Sequence, residues 1–191
     1  MPEFDHIVIA AETLAEGEEF LTALLRTAPE PGGRHDFMGT YNRLWRMGPG
    51  EYIELIAIDP DAPAPSFPRW FGLDGFSGAP RLVSWVCRTE RLNTAKGSKI
   101  MDAARGLLRW RITIPDSGVS ECDGLAPLMI DWQGSAHPAD RMPDHGFRLL
   151  GLNLTHPQPP KLNMKDPRIS VAQGDAALVA HISTPHGKIT L

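Results

Sequence analysis

Residues 4–14, FDHIVIAAETL, and residues 82–92, LVSWVCRTERL, are two versions of one segment set 78 positions apart. Each begins as a short apolar run. Each then passes through Ala-Glu-Thr-Leu or Thr-Glu-Arg-Leu toward what should be a helix. Each is followed at nearly the same interval by an acidic residue inside a second apolar run. Glu54 lies 48 positions after His6, in EYIELIAI, and Asp131 lies 47 positions after Ser84, in PLMIDWQG. Duplication at this period predicts two copies of one βαβββ-sized unit facing each other across a shared cleft. It also places His6, Glu54, Ser84 and Asp131 at equivalent points of the two copies.

Around the first copy the local signals agree. FDHIVIA reads as a strand, and period-2 alternation puts His6, Val8 and Ala10 on one face with Ile7 and Ile9 on the other. Thr13 is the expected N-cap, with Glu16 as its capping-box partner. The helix AEGEEFLTALLR then carries Phe20, Leu21, Leu24 and Leu25 as an apolar stripe. PEPGGRHD reads as a turn, MGTYNRLWRMG as a strand of mixed polarity and EYIELIAI as a buried strand. The order is β-α-β-β, with room for one further strand.

The second copy is less regular. RLVSWVCRT is a clear strand, but the helix expected in RLNTAKGSKIMDAARG has two Gly and no clean stripe. GLLRWRITIP and PLMIDWQG read as strands. FRLLGLNLTH, RISVAQ, AALVAHIST and GKITL follow as four short strands, read either as a degenerate third copy or as strands completing the second sheet. Between the copies, residues 59–80 hold five Pro but also Phe67, Trp70, Phe71 and Phe76. A solvated linker has no need of four aromatic rings, so this segment is expected to pack over a pocket or a seam.

Bulk properties exclude several classes. The chain has 191 residues, 42% hydrophobic and 22% charged, with a formal net charge of −4. Its basic residues are scattered, which argues against nucleic acid or an anionic membrane as partner. Eighteen Gly and eighteen Pro suit many turns between short strands. Of the two cysteines, Cys87 reads as a buried hydrophobe and Cys122 as a loop residue, and no C-x-x-C pair exists. MPEFDHIV has no secretory n-region and no run is long enough for a membrane helix, so a cytoplasmic location is expected. Gly-rich phosphate loops and the GxSxG elbow are both missing.

Two polar residues stand out inside apolar runs. His6 lies mid-strand, and Glu54 lies between Ile53 and Leu55, where an unpartnered carboxylate is costly to bury. His6 is also readable as a hydrogen-bonded core histidine, and Glu54 as the partner of an arginine. His35, Thr40 and Asn42 form a second group: either substrate contacts, or a bulge and a strand cap. Alternation places Arg109 and Arg111 on one face with Trp110 opposite. Facing a cleft they would favour an anionic substrate; otherwise they pair with acidic residues such as Glu54 or Asp131. Trp45, Trp70, Trp110 and Trp132 suit either a pocket wall or the core.

FDHIVIA, GGRHDFMGTYNRLWRMG, EYIELIAIDPDAP and RWFGLD together resemble the glyoxalase-like branch of the vicinal-oxygen-chelate superfamily. The resemblance covers the first 75 residues and continues more loosely to residue 157. Its most specific piece is Gly33, His35, Gly39, Thr40 and Asn42. It implies an α+β fold: paired βαβββ modules forming a cupped mixed β-sheet within a single domain, 1–191. Module one would span about 1–60, the connecting segment 61–80 and module two about 81–191. It also implies a divalent metal in the cup (Zn, Mn or Fe) held by His6, Glu54 and Asp131, with Ser84 a departure at the fourth position; a cup without metal is the other expectation. The implied activity is isomerase, lyase or hydrolytic chemistry on a small oxygenated metabolite, with Glu54, His6 and Asp131 catalytic. His35, Thr40, Asn42, Arg109, Arg111 and Trp70 would bind substrate. The alternative is a non-catalytic module that sequesters a small ligand. The expected partner is a small molecule, with no nucleic acid or membrane and with a homodimer compatible.

Overall fold

The computed structural model describes residues 1–191. The first module runs β1 (Glu3–Ala10), α1 (Leu14–Leu25), β2 (Glu30–His35), β3 (Thr40–Gly48) and β4 (Glu51–Ile58). The second runs β5 (Arg81–Arg88), β6 (Ser98–Arg105), β7 (Leu108–Pro115) and β8 (Leu128–Asp131). All eight strands form one sheet, ordered β2-β3-β4-β1-β5-β8-β7-β6. β1 is parallel to β4 and β5 to β8, while β1 and β5 meet antiparallel at the centre. His6 pairs with Val86 and Val8 with Ser84. A two-fold axis between these pairs exchanges His6 with Ser84, which is the offset of the sequence repeat. The fold is the expected α+β cupped mixed sheet.

Three expectations about individual elements are corrected. PEPGGRHD is not a turn: residues 30–35 form edge strand β2, with an irregularity between Pro31 and Arg34. Pro is tolerated at such an edge. The second module has no helix, and residues 98–105 pair as β6 with β7 instead. Met101 and Ala103 alternate toward the core there, a strand period that a segment without a helical stripe adopts readily. The C-terminal strands join neither module. β9 (Arg148–His156), β10 (Ile169–Gln173), β11 (Ala177–Thr184) and β12 (Gly187–Thr190) make a separate sheet, ordered β10-β9-β11-β12.

That second sheet stands where the missing helix would. On module one, α1 covers the outer face; Thr13 Oγ1 accepts from Glu16 N at 3.2 Å to cap it. Its buried stripe is Leu14, Gly17, Leu21 and Leu25, while Phe20 stays exposed. On module two, Trp85 and Cys87 of β5 share an apolar cluster with Phe147, Leu152, Leu154, Ala180 and Ile182. The inner face carries a second cluster: Val8, Ala10 and Ile56 from module one, Val86, Trp110, Ile112, Leu128 and Ile130 from module two. Trp70, Phe71 and Leu73, from the aromatic connecting segment, are buried against it as a strap over the cup. No helix is long and apolar enough to cross a membrane.

Candidate functional site: a buried charge relay in the cup

A register shift between Phe4 and His6 in β1 lets consecutive residues Asp5 and His6 meet side chain to side chain. Asp5 Oδ1 lies 2.6 Å from His6 Nδ1. Its Oδ2 accepts from Trp132 Nε1 at 2.9 Å and lies 3.2 Å from His137 Nε2. His6 Nε2 is 3.5 Å from Glu54 Oε2, and the imidazole stacks on Tyr52 with ring centres 4.3 Å apart. Glu54 Oε1 accepts from Asn42 Nδ2 at 2.6 Å. Asn42 Oδ1 in turn accepts from Gly33 N and from Arg105 Nη1, each at 2.9 Å. The chain Asp5–His6–Glu54–Asn42–Arg105 therefore runs through the interior from β1 to the far edge strand β6.

The charges alternate along it. Burial opposes the imidazolium form of His6, but the carboxylates of Asp5 and Glu54 outweigh burial and lift its pKa to about 9. Burial would also raise both carboxyls, yet hydrogen bonds and charge hold each below its ordinary value: His137 and His6 for Asp5, His6 and Asn42 for Glu54. At neutral pH the cup thus holds two carboxylates and an imidazolium, with the Arg105 guanidinium beside them. His35 behaves oppositely. Its Nδ1 meets Thr40 Oγ1 at 3.1 Å and its Nε2 lies 3.5 Å from Arg105 Nη1. Burial, with help from Arg105, pushes its pKa down to about 4, so the ring is neutral. Trp70 and Trp110 stand edge-on to it at 5.0 and 6.1 Å. Burial and the nearby carboxylates push the Tyr52 hydroxyl well up.

Gly32 and Gly33 close this arrangement. A β-carbon at Gly33 would strike the Arg105 stem, and one at Gly32 would strike the Asn42 backbone. The Gly-Gly pair lets β2 and the end of β6 approach from opposite edges of the sheet.

Of the residues singled out in the sequence, His6, Glu54, His35, Thr40, Asn42 and Trp70 are brought together here. Asp131, Arg109 and Arg111 are not. Trp110, Ile112, Ile130 and Trp132 line the cup, so the alternate positions face outward. Arg111 Nη2 donates to Asp131 Oδ2 at 2.6 Å, and this contact holds the Asp131 carboxyl low against its partial burial. Arg109 is exposed and spends Nη1 on the carbonyls of Gly106 and Leu108. The pairing of Val86 with Leu128 explains the misplacement. With Ser84 in the place of His6, the counterpart of Glu54 is Leu128, since His6 pairs with Tyr52 two residues before Glu54. Asp131 lies three residues further on, and an odd step in a strand reverses the face.

Asp5, Tyr52, Arg105 and His137 were not singled out. Asp5 carried a signal, an acid directly before His6 in an apolar strand. Arg105 carried none, because its segment read as a helix.

A family model described as a glyoxalase-like domain matches residues 4–165. The chain belongs to that family. Solved structures similar to this glyoxalase-like protein include a methylmalonyl-CoA epimerase in complex with methylmalonyl-CoA, 17% identical with a TM-score of 0.48, covering 72% of this chain and 99% of that one. A Streptomyces coelicolor methylmalonyl-CoA epimerase variant in complex with 2-nitronate-propionyl-CoA is also 17% identical, with a TM-score of 0.47 and coverage of 71% and 98%. The Mycobacterium tuberculosis methylmalonyl-CoA epimerase is 18% identical, with a TM-score of 0.43 and coverage of 68% and 85%. No curated protein matches the sequence.

The donor set of this glyoxalase-like cup does not fit a metal held by both modules. The four related positions are His6, Glu54, Ser84 and Leu128, so module two offers one neutral hydroxyl and one hydrocarbon. His6 Nδ1 is held by Asp5, and no group of three or more His, Cys, Asp or Glu converges as a cation site.

Proposed function

We propose that the module-one half of the cup is a metal-free proton-transfer site for a small oxygenated metabolite bearing a carboxylate. The observation that carries this reading is the 3.5 Å gap between His6 Nε2 and Glu54 Oε2, a charged pair with no direct short hydrogen bond between these atoms. The free space beside it is about 30 Å³, room for the reacting oxygen alone, so the rest of the substrate must lie outside it, toward Arg105. A substrate carbonyl oxygen entering there meets the imidazolium N–H, and the adjacent carbon meets the Glu54 carboxylate. Glu54 takes the proton from carbon while His6 supplies the hydrogen bond, or the proton, to the developing oxyanion. Asn42 holds the unused Glu54 oxygen and fixes the carboxylate plane. Arg105, half-buried at the rim, is placed to take the substrate carboxylate. Trp70, Trp110 and Trp132 exclude water around the pair.

The test is proton exchange in D2O, followed by NMR on a panel of small 2-oxo and 3-oxo carboxylates. The expected result is enzyme-dependent loss of the C–H signal from one of them, abolished in Glu54→Gln. A second reading, a binding module without turnover, is favoured by the fact that the charged groups already satisfy one another. Saturable binding of a carboxylate with no exchange would select it.

A further inference from the structure

The module-two half of the cup is a separate cavity, and the charge relay does not use it. It has a volume of about 410 Å³, within the range of small-molecule sites. Phe71 of the strap is the wall common to this cavity and the His6 cup. The cavity is lined by residues of both apolar clusters: Leu82, Leu125 and Leu178 from the outer one, Phe71, Val83 and Leu128 from the inner one. Its walls are fixed in place. Gly72 N donates to Gly118 O at 3.0 Å, tying the strap to the loop after β7, and Trp85 Nε1 donates to Leu125 O at 2.8 Å. The last wall, Ala176–Leu178, lies beyond residue 165, outside the span that the family model matches.

Ser84 is the one buried polar side chain on this wall. It is 2% exposed, and its Oγ has no hydrogen-bond partner. A buried hydroxyl without a partner is costly and uncommon; its Oγ is closed off in this rotamer, and a turn about χ1 toward the cavity would let a ligand oxygen satisfy it. The charged groups at the cavity are already engaged. Arg81 Nη1 donates to Ser77 O at 2.7 Å and its guanidinium lies over the Phe76 ring, while Asp123 Oδ2 is 3.2 Å from His156 Nε2. Arg81 and Asp123 are both exposed, and the buried wall around Ser84 carries no charged group to select an ion.

We infer that this cavity is a binding site for a neutral, mostly apolar molecule carrying one carbonyl or hydroxyl oxygen, which pairs with Ser84 Oγ. Medium-chain ketones and alcohols and their ring equivalents are the class that fits. The site is independent of chemistry at His6, because Phe71 stands between the two.

The test uses 2-octanone titrated into the full chain, followed by amide NMR shifts and by calorimetry. The expected result is saturable binding with a dissociation constant below about 1 mM. Shifts should fall at Gly72, Val83 and Leu128 and spare Asn42 and Glu54. Ser84→Ala should weaken binding about tenfold, the worth of one net hydrogen bond, while the free variant melts no lower than the parent. Ala177→Trp, at an exposed strand position, should cover the cavity and abolish binding. Absence of saturable binding overturns the inference. So does binding that both variants leave unchanged, or a shift map centred on His6 and Asn42.

Discussion

His6 Nδ1 and Asp5 Oδ1 lie 2.6 Å apart, although the residues are chain neighbours and a regular strand would send them to opposite faces. The irregularity in β1 makes the contact, and both groups are buried. Asp5 is thus the positioning residue for the imidazolium, fixing its ring orientation and its proton. Asp5→Asn keeps the shape but removes the charge. His6 then loses its shortest carboxylate contact, and its pKa should fall from about 9 to the ordinary histidine range or below. Stability should drop by about 3 kcal/mol, as when a buried pair loses one partner. NMR titration of the His6 ring measures the first, urea unfolding the second. A ring in Asp5→Asn still titrating near the parental value would assign the raised pKa to Glu54 alone.

The two buried histidines predict a narrow pH optimum for stability. His6 has a folded pKa raised to about 9 from 6.5, so its contribution is complete below 6.5 and is lost as pH rises through 9. His35 has a folded pKa lowered to about 4 from 6.5. Between 6.5 and 4 the unfolded chain binds a proton that the folded chain refuses, so stability falls as pH falls. Each limb is worth on the order of 3 kcal/mol. Urea midpoints should therefore peak near pH 6.5 and decline on both sides. In His35→Asn the acid limb should flatten while the alkaline limb stays. A plateau from pH 5 to pH 9 in the parent would contradict both assignments.

The central pairing was legible in the sequence because the repeat itself encodes it: the 78-residue offset maps His6 onto Ser84, and the strand register does the same. The acidic repeat was misleading. Asp131 matched Glu54 within one residue of spacing, but a strand has a period of 2 and facing depends on the pairing, not on the count along the chain. Arg105 was hidden for a related reason. Its role follows from β6 ending opposite β2, a long-range fact with no local signature. Gly32 and Gly33 did carry the information, but a glycine pair reads first as a turn. Nothing local distinguishes a second sheet over Trp85 and Cys87 from strands that extend the first one.

Gly32 and Gly33 should respond differently to the same small change. A methyl at Gly33 meets the flexible stem of Arg105, which can swing aside, so Gly33→Ala should keep stability within about 1 kcal/mol and break the Arg105–Asn42 hydrogen bond. A methyl at Gly32 meets the backbone carbonyl of Asn42, which cannot yield without opening the β2–β3 pair. Gly32→Ala should cost about 2–3 kcal/mol. Denaturation of both variants, with carboxylate binding as the functional readout, checks the contrast. Weakened binding in Gly33→Ala without loss of stability would place Arg105 on the ligand. Equal stability loss in the two variants would mean that the Arg105 stem is as rigid as backbone.

If the C-terminal sheet replaces a helix, then its apolar face shields Cys87. Cys87 is buried, with Sγ 3.6 Å from Met164 Sδ, and burial pushes its thiol pKa far above the ordinary value. Cys122, in the loop before β8, is partly exposed. Partial burial, Glu121 and Asp123 raise the Cys122 thiol pKa, so a disulfide reagent should modify it directly at a moderate rate and Cys87 only through opening of the fold. Leu154, in β9, is 1% exposed within the cluster that holds Cys87. Leu154→Ala should destabilise the protein by about 2–5 kcal/mol and accelerate labelling of Cys87 in proportion, with Cys122 unchanged. The proportionality matters because slow labelling reports the population of the opened state when closing outruns reaction. If Cys87 reacts rapidly in the parent protein, the second sheet is not a stable cover for β5, and the outer face of module two must be protected in some other way.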